Sequence, residues 1–236
     1  MSTKEYRMKS NDLLKDKYQQ PILVFLLYFA FFIVYSFLQN KLSGSHFVMI
    51  NGMMTQVIDN QFVYWLFSVG EFLIISAIYY GFIKMTILII DQVEFKFSEV
   101  LMSGFKNQYD KNIGTYILMT IYIFLWSMLF IIPGFIKIYA YSMSFYLRNK
   151  EPNLTSSEVI TMSKAMMKGN KWRLFVLDLS YIGWYLLSVL TLGILSLWVM
   201  PRHFTARTLL FNDIYGEKKD LEEVEPVNKQ DDIFDL

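Results

Sequence analysis

From Ile113 to Arg148 the chain reads IGTYILMTIYIFLWSMLFIIPGFIKIYAYSMSFYLR: an apolar run as far as Ile132, then Pro133-Gly134, then a more polar continuation. Few folds accept such a stretch. A run long enough to cross roughly 30 Å of hydrocarbon must satisfy its own backbone polar groups, and a helix is the only way a single run does so. Pro133 lacks an amide donor and disfavours helix at Ile132, while Gly134 tolerates left-handed backbone. The sequence therefore predicts a tight turn at Ile132-Pro133-Gly134 joining two antiparallel helices. Trp172 to Asn212 repeats the design, with its turn at Thr191-Leu192-Gly193.

Across the 236 residues, 54% are apolar and 18% aromatic, gathered into runs that alternate with charged stretches, the pattern of a chain that crosses a membrane several times. The absence of cysteine excludes disulfides and thiolate chemistry, and His46 and His203 alone make no recognisable metal site. A net charge of +1 gives no global field for nucleic acid, so no nucleic-acid partner is expected. No pair of acids, Ser-His-Asp set or phosphate-binding loop stands out. The expectation is a protein without enzymatic activity, cofactor or metal.

The spans expected are 21–39, 62–90, 113–132, 134–149, 172–191 and 194–212, within a transmembrane domain of 21–213. A cleaved signal peptide is not expected, because Phe37-Leu38-Gln39-Asn40 offers no small-residue cleavage site. Lys41 to Gln61 reads as a polar loop with a turn signal at Asn51-Gly52. Between the later spans, 97–106 and 156–168 read as short amphipathic helices. In the second, Thr155 and Glu158 have capping-box spacing, and Gly169 is placed to close it. Such helices lie either on the membrane surface or on their own protein, and the sequence leaves both open. Lys and Arg number five before residue 21, three in 91–112, six in 148–173 and three after 212, against few on the other side. By the positive-inside rule both termini, 1–20 and an acidic, disordered 214–236, are cytosolic.

A shift of 59 positions superposes the two hairpins without a gap: Ser98-Glu99-Val100 on Ser157-Glu158-Val159, Gly134 on Gly193, Arg148 on Arg207. The repeating unit is a surface helix followed by a helical hairpin, and Asn11 to Lys17 with the first two spans is a candidate for a diverged third copy. The fold class expected is thus all-α, a polytopic transmembrane helical bundle of about six spans built from these units.

Trp126-Ser127 through Ile132-Pro133-Gly134, Lys137 to Tyr146, Ser163 to Gly169, Leu174 to Trp184 and Thr191-Leu192-Gly193 together resemble the bacterial integral membrane family called domain of unknown function 975. The resemblance covers about the C-terminal half and implies a multi-pass protein of a bacterial cell membrane, mostly in Gram-positive organisms. It supplies no activity and no functional residue.

The residues that stand out are the intramembrane polar ones: Glu71, Lys137, Asp178, Arg202, His203 and Arg207. Lys137, Tyr141, Ser144 and Arg148 share one helical face, as do Ser196, His203 and Arg207. These faces read either as a polar path or headgroup site, or as interhelical pairing with Lys and Arg reaching for the interface. By depth, Lys137 or Arg202 is the expected partner of Glu71. Counting from the turn at Gly193 places Asp178 level with Arg207, and Trp184 level with Arg202. The function expected is that of a membrane or partner-interacting component, with membrane lipids and a protein or peptide as the classes of partner. The alternative is a small transporter whose fourth and sixth helices line a path.

Overall fold

The computed structural model describes residues 1–15, 17–50, 52–106 and 108–224. Its helices are α1 (Thr3–Leu14), α2 (Gln19–Ser43), α3 (Gln61–Ile90), α4 (Phe97–Lys106), α5 (Tyr109–Leu129), α6 (Ile131–Tyr141), α7 (Ser144–Lys150), α8 (Ser156–Met166), α9 (Lys171–Leu179), α10 (Ile182–Leu190) and α11 (Ser196–Val224). Among the described residues four helical segments are long and apolar enough to cross a membrane: Gln19–Ser43, Gln61–Ile90, Tyr109–Leu129 and Lys171–Leu190, the last made of α9 and α10. The protein is therefore a multi-pass helical membrane protein. The expected spans 134–149 and 194–212 have a different character. The first is divided between α6 and α7 at Ser142-Met143, and the second lies in α11, which carries Arg202, His203 and Arg207 and a proline at Pro201. That helix runs on to Val224, into the stretch read as a disordered tail, whose remainder lies outside the described residues.

Two departures from expectation concern turns. Lys41 to Gln61 is more than a loop. After α2 closes at Gly44 (φ 68°), the chain forms an antiparallel ribbon of β1 (His46–Ile50) and β2 (Met53–Val57), in register from His46↔Val57 to Ile50↔Met53. An Asn-Gly pair between two short apolar runs is the usual signal of a two-residue hairpin turn. Gly52 has φ 79°, as such a turn requires, while Asn51 lies outside the described residues. The first helical hairpin also turns earlier than predicted. Phe130 alone breaks the helix, with extended backbone (φ −159°, ψ 148°), and Pro133 sits within the first turn of α6, where a missing amide costs no helical hydrogen bond. Gly134 is helical and serves packing instead: a Cβ there would lie 2.2 Å from Ser127 Oγ on α5. Its superposition on Gly193 is therefore one of sequence and not of conformation.

The second hairpin turns where predicted. Gly193 N donates to Ser188 O at 2.8 Å and Leu192 N to Val189 O at 3.1 Å, the paired bonds that terminate a helix through left-handed residues. Leu192 holds φ 52° and is 94% exposed, so its side chain contributes little packing to offset an unfavourable backbone. Leu192→Gly is expected to leave the fold intact and to raise stability by up to about 1 kcal/mol. Thermal unfolding in detergent checks this, and a loss of more than that would mean the leucine makes contacts that the turn depends on.

The short helices α1, α4 and α8 each precede a longer helical segment in the chain. Short helix and helical hairpin follow one another at α4 and at α8, and the first short helix of the chain lies at Thr3–Leu14 and not at Asn11 to Lys17. All three short helices lie against their own protein. Tyr6, Ser10 and Leu14 of α1, Val100, Ser103 and Gly104 of α4, and Val159, Ile160, Ser163 and Met166 of α8 are buried. Ser163 Oγ donates to Ala140 O at 3.0 Å, and Val159 and Met166 join a core with Leu147, Leu174 and Leu210. The Thr155 and Glu158 capping box forms as read. Its hydrogen bonds hold the Glu158 carboxyl below its usual range, so the cap is complete above the ordinary glutamate pKa and weakens as pH falls below it. Ser2 and Glu5 cap α1 in the same way, a signal present in the sequence as Ser-Thr-Lys-Glu.

Candidate functional site

His203 and Arg207 of the last hairpin converge on Asp178, near the C-terminal end of α9. His203 Nε2 lies 2.7 Å from Asp178 Oδ1, and Arg207 Nε lies 3.6 Å from the same oxygen. The hairpin arithmetic thus brings Asp178 and Arg207 together, but the nearer partner is His203, one turn earlier on α11. Its other ring nitrogen, Nδ1, is 2.8 Å from the Tyr185 hydroxyl of α10. The consistent assignment has Nε2–H donating to the carboxylate and Nδ1 accepting from Tyr185. The Tyr181 ring stacks on the imidazole at 4.7 Å between centroids. Three helices are thereby tied through one carboxylate. The i, i+4 spacing of His203 and Arg207 was the signal in the sequence, since it puts both on the face that Asp178 meets.

Glu71, Lys137 and Arg202 are not brought together. Among the described residues Glu71 makes no ion pair, and it lies beside Tyr35, whose hydroxyl donates to Phe67 O. The Lys137 ammonium sits 4.1 Å from the centre of the Trp126 ring. Arg202 lies over the Tyr18 ring at 5.2 Å and hydrogen-bonds its hydroxyl. Depth was read correctly enough to pair residues across one hairpin, but the direction in which each helix face points was not legible between hairpins. Arg148 also departs from the reading that it reaches for the interface. It is 1% exposed, donating from Nη1 to Leu154 O at 2.5 Å and from Nη2 to Thr115 Oγ1 at 2.9 Å.

Arg202 belongs to a cavity of about 450 Å³ between α1, α10 and α11. The face of α1 that lines it carries Lys4, Arg7 and Met8, opposite Trp184 and Val199. Residues 4, 7 and 8 share one side of a helix whose other side buries Tyr6, Ser10 and Leu14. Three positive side chains, Lys4, Arg7 and Arg202, therefore meet an apolar wall, and among the described residues no carboxylate lines the cavity. Arg7 is held over Tyr181 at 5.3 Å. The position of α1 is fixed by Tyr6, whose hydroxyl donates to Asp213 at 2.7 Å and accepts from Arg173 at 3.2 Å. Burial and the Asp213 carboxylate push the Tyr6 phenol well above its usual range, which keeps it a donor.

Residues 129–218, from the end of α5 through most of α11, match the family described as Protein of unknown function (DUF975), in agreement with the resemblance seen in the sequence. Neither the curated proteins nor the solved structures contain a match to the chain. The matched stretch contains Asp178, Tyr185, His203 and Arg207, but not α1. Half of the basic cavity is thus contributed by residues outside it.

Proposed function

We propose that this is a non-enzymatic component of a bacterial cell membrane, crossing it six times with both termini on the cytosolic side, that works by holding anionic phospholipid in the cavity between α1, α10 and α11. The observation that carries this reading is the composition of that cavity: Lys4, Arg7 and Arg202 supply charge, while Met8, Trp184 and Val199 supply an apolar wall. A phosphate headgroup with its first acyl carbons has the complementary form. Trp184 is 40% exposed, and an amphipathic ring of this kind favours the level of the headgroups. The packing supports binding over passage of a solute. Between the hairpins, Tyr79 meets Phe145 edge-on at 4.9 Å and Phe82 stacks with Phe204 at 5.9 Å, so aromatic rings occupy the space a path would need.

The test uses the full chain in nanodiscs of phosphatidylglycerol or phosphatidylcholine. Phosphatidylglycerol is expected to raise the melting temperature. Each cation near a membrane surface contributes about 1 kcal/mol, so Lys4→Gln with Arg7→Gln should weaken phosphatidylglycerol binding by roughly tenfold or more. Equal behaviour of the two lipids, or of the variant and the parent, would sink the reading. Because the chain has no cysteine, single cysteines at the exposed positions 50 and 110 test the topology separately. An impermeant thiol reagent should label only the first from outside.

A further inference from the structure

A second cavity, of about 520 Å³, opens where α3, α4 and α7 converge, and Lys84, Lys106, Gln108 and Arg148 line it. We propose that it is a binding site for a phosphoryl oxyanion, distinct from the cavity beside α1 and independent of it. Three helices and the start of α5 deliver its polar groups. The three cations come from separate helices, and among the described residues no carboxylate lines the cavity and none of the three makes an ion pair. Like charges gathered around one space raise each other's energy unless an anion occupies it. Asp110, in the first turn of α5, is the carboxylate whose charge reaches Arg148, and it lies outside the lining.

Arg148 is built into the site. With 1% exposure and both terminal nitrogens bonded, its guanidinium is fixed, yet among the described residues its buried Nε has no hydrogen-bond partner. A buried charged donor left unpaired is costly, and an anion in the adjoining cavity is the kind of group that offsets the cost. Gln108 adds two further observations. Its backbone is left-handed (φ 49°, ψ 49°), an uncommon state for a residue with a side chain, and its buried Oε1 has no partner among the described residues. An acceptor at that position suits a protonated phosphate hydroxyl. Gln108 also immediately precedes α5 and makes no side-chain cap, so the positive end of that helix faces the same region. Ile87 and Leu88 give the cavity an apolar side, which suits a phosphate ester with an organic substituent.

The phosphate can come from a soluble ester or from a lipid headgroup, and the experiment separates them. Pyrophosphate is titrated into the detergent-purified chain, and phosphatidic acid is supplied in nanodiscs, each read as binding affinity and melting temperature. Lys84→Gln with Lys106→Gln is expected to weaken binding by at least about tenfold, the size expected when charge-assisted contacts are lost. Lys106→Gln alone, at an exposed position, gives a second variant should the double one fold poorly. Lys4→Gln with Arg7→Gln serves as the control and should retain binding at this site. Binding of pyrophosphate assigns a soluble ester, and binding of phosphatidic acid alone assigns the headgroup. If neither ligand distinguishes the parent from both lysine variants, the proposal fails.

Discussion

Replacing Gly104 by alanine is expected to destabilise the protein at or beyond the upper end of the about 1–3 kcal/mol range typical of overpacked interiors. The reason is a contact between backbones. A Cβ on Gly104 would lie 2.0 Å from the Ala77 carbonyl oxygen, 2.6 Å from its carbon and 2.7 Å from its Cα. None of these atoms can rotate away as a side chain would, so α4 has to lift from α3. The approach is mutual, since a Cβ on Gly81 would lie 2.9 Å from the Val100 carbonyl oxygen. Ala77 and Gly81 on α3 face Val100 and Gly104 on α4, each pair four residues apart, the spacing by which small residues let membrane helices meet closely. The Gly104 carbonyl also accepts from Asn112 Nδ2 at 3.1 Å, so lifting α4 disturbs the start of α5 as well. Gly81→Ala, with the milder contact, should cost less than Gly104→Ala. Melting temperatures in one detergent rank the two, and a Gly104→Ala protein as stable as the parent would mean that α4 is not seated on α3.

How far such contacts were legible in the sequence depends on what the bilayer does to the usual signals. In water, a buried face is apolar and an exposed face polar, so periodicity reports packing. In lipid both faces are apolar, and α2 and α3 carry no stripe by which Val24 and Phe25, packed in the core, stand apart from Phe29 and Phe37, which are exposed. The short helices retain polar faces, which is why α4 was placed at its observed bounds and α8 to within two residues of its end. Whether they touched lipid or protein turned on Gly104 and Ser163, residues whose small size the sequence shows but whose neighbours it does not. Pro133-Gly134 shows the opposite failure. A strong turn signal was read at its most common meaning, whereas the proline begins α6 and the glycine admits Ser127. Depth within one hairpin is simple counting and succeeded for Asp178 and Arg207. Glu71 is separated from its supposed partners by the arrangement of whole hairpins, which counting does not address.

The polar cluster gives the sharpest test of that counting. Asp178→Ala removes the acceptor for both His203 and Arg207, whose side chains are 12% and 20% exposed, and leaves Tyr185 holding an imidazole with no second partner. Fully buried pairs lose about 3–5 kcal/mol when one partner is removed. Asp178 itself is 21% exposed, and partial solvent screening lowers the expected loss to about 2–3 kcal/mol. Asp178→Asn keeps an oxygen acceptor and should lose about half as much. The two partners of the carboxylate are separable by double-mutant cycles. At 2.7 Å His203 makes a hydrogen bond to Oδ1, whereas Arg207 at 3.6 Å is close enough only for charge attraction. The coupling of Asp178 with His203, measured through His203→Gln, should therefore reach about 1–2 kcal/mol, and that with Arg207, through Arg207→Gln, about 0.5 kcal/mol. The exchange Asp178→Arg with Arg207→Asp should recover only part of the loss, because it restores the attraction while leaving His203 beside an arginine. Tyr185→Phe tests the far side of the imidazole, and its effect should shrink once Asp178 is already alanine, as expected for members of one network. A larger coupling to Arg207 than to His203, or strictly additive losses for all of them, would show that the carboxylate does not hold these three helices in the way the distances indicate.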